Sequence, residues 1–147
     1  MKKFTLPVRF GIATSGSLIA YFLILSLFNL HINVFFSLFN GIITGFGIFE
    51  AIRYTKIEEG KNFDYRKGFS AGIITGFMAT LVFTIFFAFY ATEVNINFLP
   101  QLSEVWFKNY HTGEGLLFFT VAIMGFATTV VLTLTFMQLF KSSNNLK

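Results

Sequence analysis

Long apolar runs broken by short polar stretches set the pattern of this chain. Residues 10–30, 34–52, 69–91 and 115–140 are each dominated by Phe, Ile, Leu, Val, Gly and Ala. A helix needs roughly 20 apolar residues to cross a bilayer, and all four runs approach or exceed that length. Lipid offers no water to pair backbone groups, so each run is predicted to be a helix that satisfies its own hydrogen bonds. The alternation of a barrel strand is absent, and each run is too long for one. The expected fold is all-α integral membrane. Residues 1–147 form one domain, a four-helix transmembrane bundle.

The polar breaks differ in kind. Around His31 only a few residues separate the first two runs, which predicts a tight antiparallel hairpin. The second break, RYTKIEEGKNFDYRKG, is charged and water-facing. It is expected to extend its flanking helices by a turn and to bend near Gly60. The third, residues 92–114, is longer. Within it Pro100 stands where a helix can start, and Leu99, Leu102, Val105 and Trp106 recur at helical spacing. These predict a short amphipathic helix at the outer interface, anchored by Trp106.

Composition agrees with a membrane chain. It is 54% hydrophobic and 12% charged, with 23 phenylalanines, and soluble domains carry about 25% charged residues. Mean hydropathy is +0.68. One small core could not hide so much apolar surface from water. There is no cysteine, which excludes disulfides, thiolate catalysis and cysteine-bound metals.

Charge placement adds direction. Of 11 basic residues, Lys2, Lys3, Arg9, Arg53, Lys56, Lys61, Arg66, Lys67, Lys141 and Lys147 fall on one side if four helices alternate. Only Lys108 falls on the other. The positive-inside rule makes the crowded side cytoplasmic, so both termini are expected inside. Lys2, Lys3 and Arg9 before an apolar run resemble a signal peptide. The run is longer than a usual signal core and no small-x-small site follows, so a retained helix is expected. The net charge of +4 therefore reports topology, and nucleic acid is not an expected partner. The inner loop sets five basic residues against Glu58, Glu59 and Asp64, which dilutes any attraction to anionic lipid.

Small residues mark the packing surfaces. Helices in lipid associate by close approach, which small side chains permit. The hexamer GIITGF occurs at 41–46 and again at 72–77. The third run extends it, with Gly68, Gly72, Gly76, Thr80, Thr84 and Ala88 recurring every four residues. The second offers Ser37, Gly41 and Gly45. The fourth offers Gly125, Thr129 and Thr133, and the first a weaker Gly16 and Ala20. The two hexamers lie on oppositely directed helices. Register places Gly45 at the level of Thr80, and Gly76 at the level of Phe49, so the copies are not expected side by side. Bundle packing, including any homodimer face, is the expected role. No phosphate-binding glycine loop follows a strand.

Candidate chemistry is sparse. Glu50 is the one acid inside an apolar run, and such residues are functional candidates. It would suit a proton or cation site. Arg53 stands one turn on, where i,i+3 side chains meet, so a rim ion pair is the competing expectation. His31 and His111 fall outside with Glu93 and Glu114, at spacings that match no metal motif, and are expected to be solvated loop histidines. Span hydroxyls such as Thr14, Ser17, Thr128 and Thr129 are expected to bond to their own helix. No catalytic constellation stands out, so no cofactor, metal or enzymatic activity is expected.

The central stretch GIFEAIRYTKIEEGKNFDYRKGFSAGIITGF carries a recognisable layout. A span ends in Ile52, Arg53 and Tyr54. A polar turn with glycine follows, then an aromatic F-x-Y element and a basic KGF entering a glycine-containing span. With NFLPQL and a final span, this resembles the domain of unknown function 4199 family of small bacterial membrane proteins. The resemblance implies a four-span inner-membrane protein and no particular activity, with no catalytic residues to carry over. The leading expectation is a non-enzymatic accessory or scaffold protein of the bacterial inner membrane, acting through helix packing. Its partners are the lipid bilayer and either a second copy in a homo-oligomer or another membrane protein. The alternative is a small transporter or channel component using Glu50.

Overall fold

The computed structural model describes residues 2–107 and 113–140. The chain folds into α1 (Lys2–Leu27), α2 (Val34–Glu59), α3 (Tyr65–Phe89), a short α4 (Phe98–Phe107) and α5 (Glu114–Phe140). Four of these helices are long and apolar enough to cross a membrane. The protein is an all-α membrane bundle, with no strand among the described residues.

Local chemistry sets the helix ends. Asn29 adopts φ 54°, a left-handed conformation that Asn tolerates better than most residues. Leu30 N–H then donates to Leu25 O at 2.9 Å, and Asn29 N–H donates to Ser26 O at 3.1 Å. These are the two bonds of a Schellman stop. α1 therefore ends at Leu27 rather than at residue 30. Asn33 caps α2 by accepting from Phe35 N–H at 3.0 Å. Two adjacent caps thus close the α1–α2 hairpin in six residues, 28–33. Tyr21 ties it further by donating to Phe36 O at 3.0 Å.

At the other end α2 runs about two turns beyond Ile52, to Glu59. Its Arg, Lys and Glu residues are good helix formers and face water without cost. Gly60 stops it with φ 51°, ψ −118°, a conformation open mainly to glycine. Asp64 starts α3 by accepting from Lys67 N–H at 2.8 Å. Lys67 Nζ lies 2.6 Å from Glu59 Oε2, which clips the loop shut.

α2 and α3 form the central pair. Each packs on the other and on both α1 and α5. The α3–α5 contact is a regular antiparallel ladder of small residues. A Cβ built at Gly68 would lie 2.7 Å from Met137 Sδ, and one at Gly72 2.6 Å from Thr133 Cγ2. One at Gly76 would overlap Thr129, and Thr80 in turn fills the space beside Gly125. Each step of four residues along α3 is met by a step of four back along α5. Gly47 closes on Thr14 and Gly11 on Thr75 and Met78 in the same manner. Thr75 Oγ1 donates across to Pro7 O at 3.0 Å, inside the α1–α3 contact.

The hexamers use their glycines differently. Gly72 lies against Thr133 and Ile52, Gly76 against Thr129, and Gly45 against Leu132 and Phe136 at 3.6 Å. Gly72 thus meets α2 at Ile52, seven residues or about 10 Å along the helix from Gly45. One reading needs correction. Gly41, expected in a packing ridge, has no atom within 4 Å of the point a Cβ would occupy. Gly41 makes no close approach to a neighbouring helix there and borders a cavity instead.

The short helix also departs from expectation. Phe98, Leu99 and Leu102 are buried, so α4 plugs the hairpin end of the bundle rather than only lying along its surface. Pro100 sits in its first turn, not at its first residue. Val105 is exposed. The Trp106 side chain, Lys108, His111 and the basic residues Lys141 and Lys147 lie outside the described residues.

Candidate functional site

Beyond the Thr80–Gly125 rung the α3–α5 ladder stops, and the bundle opens into a cavity of about 380 Å³. Known small-molecule sites span roughly 300–1,000 Å³. Its walls are largely apolar, with Leu18, Phe22, Phe83, Phe87, Phe98 and Met124 prominent. Its polar lining comprises His31, Ser37, Asn40, Thr44, Thr80, Thr84 and Thr128. No Asp, Glu, Lys or Arg is among the described lining.

The hairpin places His31 over this cavity. The Schellman stop and the Asn33 cap fix the six-residue link, and the imidazole turns inward. It is 7% exposed. Phe98 of α4 stacks on it at 4.9 Å with 23° between planes. Phe22 meets it edge-on at 5.6 Å. Phe22 is the hub of the aromatic cluster, making edge contacts with Phe83, Phe86, Phe87, Tyr90 and Phe98 as well. A wider helical turn follows α3 at Tyr90–Val94. The Tyr90 hydroxyl lies 2.5 Å from Ser26 Oγ, which locks α3 to α1 beneath the plug.

Among the described residues of the cavity lining, both nitrogens of His31 lack a hydrogen-bond partner, as do Asn40 Oδ1 and Thr84 Oγ1. Leaving one buried polar group unpaired costs about 1–3 kcal/mol. Most buried polar groups in proteins are paired, so three such residues in one cavity call for an explanation. Burial also lowers the His31 pKa from its usual 6.5, because a charged imidazole is poorly solvated there. The group is neutral at pH 7 and offers one N–H donor and one acceptor nitrogen. The expectation of a solvated loop histidine is thereby corrected.

Glu50 and Arg53 form the pair that their spacing allows. Arg53 Nη1 lies 3.1 Å from Glu50 Oε1. The arginine side chain is 55% exposed and the glutamate 16%. The pair sits two turns before the charged end of α2, and Glu50 lines neither this cavity nor the groove near the charged end. That groove, between the start of α1 and the start of α3, is edged by Glu58, Glu59 and Asp64 together with Arg66 and Lys67. No group of three metal-ligating side chains occurs among the described residues.

A family model described as a protein of unknown function (DUF4199) matches residues 9–115, well over half of the chain. The chain belongs to the DUF4199 family. The match runs from Arg9 within α1 through α4 and stops at the start of α5, so the hairpin, the charged loop and the plug of this family member all lie within it. Neither curated proteins nor solved structures gave a match.

Sequence reasoning missed His31 and Asn40 in this role. Asn40 was the available signal: an amide in the middle of the apolar run FSLFNGIITG, where polar residues are costly. His31 gave no such signal, because a histidine between Leu30 and Ile32 in a six-residue turn reads equally as solvent-facing.

Proposed function

We propose that this DUF4199 member is a non-enzymatic, multi-pass accessory or scaffold protein of the bacterial inner membrane, with both termini cytoplasmic. The observation that carries the reading is the position of Glu50. The only acid of the apolar runs is engaged by Arg53 at 3.1 Å and faces no described cavity. A carboxylate that carried protons or cations across would need a polar path on both sides. A rim ion pair needs none. Among the described residues the hairpin-end cavity has no charged lining side chain either, which argues against a charged-solute route. Scaffold action also suits α5. Only 11% of its most apolar window is buried inside the bundle, against 28–33% for the other spans. Its Leu116, Phe119, Ile123, Val131 and Leu139 face outward, where another helix can pack.

Topology follows from charge. The loop carrying Arg53 to Lys67 is assigned to the cytoplasm, and the hairpin with α4 to the opposite side. Reporter fusions test this: activity of a periplasm-dependent reporter at either terminus would overturn it. The scaffold reading is tested by photocrosslinking from Val131 and Leu139 in native membranes. The expected result is one discrete protein adduct, either a second copy or a single partner. In parallel, Glu50→Gln in reconstituted vesicles should leave proton and cation flux at the level of empty vesicles, as for the parent. Flux that depends on Glu50 would replace the scaffold with a transporter.

A further inference from the structure

We propose that the cavity beneath α4 is a binding site for a neutral, hydroxyl-bearing membrane amphiphile that enters sideways from the bilayer between α2 and α5. Three observations point to this chemistry. The walls are apolar and aromatic, which selects an apolar body. Of the four described residues with buried, unpaired polar atoms, three (His31, Asn40 and Thr84) line this cavity and together offer donors and acceptors, while the fourth, Thr133, lies in the α3–α5 ladder. A hydroxyl both donates and accepts, so it can pair with a donor or an acceptor among the three. Charge is disfavoured by the described lining, where no Asp, Glu, Lys or Arg stands to balance it; an unpaired charge in such a site is far costlier than a hydroxyl.

The route is set by the divergence of α2 and α5. At Gly45 the helices are in ordinary contact, through Leu132 and Phe136. One turn toward the hairpin, a Cβ at Gly41 would meet nothing within 4 Å. Leu38 and Met124 line the cavity, yet they are 67% and 52% exposed. They therefore stand at a lateral mouth, on helices whose exposed faces meet lipid. The other approach is covered. The hairpin and α4 close the end of the bundle, with Phe98 and Leu102 buried above the cavity. A ligand dissolved in the bilayer has the open door, and one dissolved in water meets the plug.

The test uses the full chain in nanodiscs with a photoactivatable monoacylglycerol carrying a diazirine in its acyl chain. Adducts are mapped by mass spectrometry, and affinity is read by competition with unlabelled monoacylglycerol. Adducts are expected on the 37–44 and 121–128 stretches. His31→Phe keeps the ring stack on Phe98 and removes both nitrogens, and Thr84→Val removes the hydroxyl. Each is expected to weaken binding about tenfold, the loss of one good hydrogen bond. Gly41→Phe fills the mouth, where space exists for it, and should abolish the adducts. His31→Phe should unfold no more readily than the parent, which separates lost binding from lost fold. The proposal is overturned if adducts fall only on outward residues such as Val131 and Leu139, or if Gly41→Phe labels like the parent. It is also overturned if the phosphate-headed analogue of the same chain binds as well, or if free glycerol competes as well as the monoacylglycerol. These results are independent of the crosslinking and flux outcomes that decide the scaffold reading.

Discussion

The same substitution in the same six-residue context should have opposite effects in this protein. Gly41 and Gly72 are the first residues of the two GIITGF copies. A Cβ at Gly72 would lie 2.6 Å from Thr133 Cγ2, 2.9 Å from Thr133 Oγ1 and 3.2 Å from Ile52 Cδ1. Thr133 is fully buried and has no free side to turn into. Gly72→Ala must therefore push α5 and α3 apart, and overpacking of this kind costs about 1–3 kcal/mol. At Gly41 the new methyl meets nothing, and the helical preference of Ala over Gly should stabilise by up to about 1 kcal/mol. Gly45→Ala and Gly76→Ala repeat the contrast one turn on, with ordinary contact at Gly45 and overlap with Thr129 at Gly76. The assay is reversible unfolding in mixed micelles, followed by tryptophan fluorescence or by steric trapping in bicelles. Gly72→Ala should unfold earlier than the parent and Gly41→Ala no earlier. Equal stabilities for the two variants would refute the packing assignment. So would a Gly41→Ala that is the more damaging.

Further outcomes follow from single contacts. The folded His31 pKa lies below its ordinary 6.5, so the unfolded chain binds the extra proton first; stability is full above about pH 6.5 and falls as pH drops toward the lowered folded value. The slope approaches about 1.4 kcal/mol per pH unit for one proton, and the difference between parent and His31→Phe unfolding curves should recover it; identical pH profiles would remove His31 from the buried site. Tyr90→Phe deletes the 2.5 Å bond to Ser26 and should cost about 0.5–1.5 kcal/mol in thermal or denaturant unfolding. Asn29→Val puts a β-branched residue at φ 54° and should cost about 1–3 kcal/mol, read as faster hydrogen exchange in the 28–33 turn.

Spans were legible because lipid imposes one rule along about twenty residues, and the apolar runs state it plainly. The Glu50–Arg53 contact was legible for a similar reason: it depends only on helical spacing, which one helix supplies. Packing partners were legible by face and not by pair. The α3 ridge and the α5 trio of Gly125, Thr129 and Thr133 each stand out in the sequence. Their rung-by-rung match depends on how two separate helices slide, which no local pattern encodes. His31 was illegible for the same reason carried further. Its burial is made by Phe98, which is distant along the chain and reaches the imidazole only once α4 has folded over the bundle.

The two hexamers also show why a motif does not fix its own role. On α3, GIITGF is one part of a ridge whose rungs from Gly68 to Thr80 are met by α5, so its glycines draw two backbones together. On α2 the same residues straddle the point where the helix leaves α5. Gly45 still touches the neighbour, and Gly41 does not. Small residues permit close approach without compelling it. What compels it on α3 is the complementary Gly–Thr–Thr series on α5. α5 has only one such series, and α3 occupies it. α2 must then meet the larger Leu132 and Phe136, which hold it at ordinary contact distance and send its hairpin end away. The space left over, roofed by Phe98 and edged by Gly41, is the cavity lined by His31, Asn40 and Thr84, three residues with unpaired polar atoms. Replacing Leu132 and Phe136 by alanine should let α2 settle onto α5. Ligand labelling at 37–44 should then fall although no cavity residue has changed, and unaltered labelling would show that the gap is held open by something other than these two side chains.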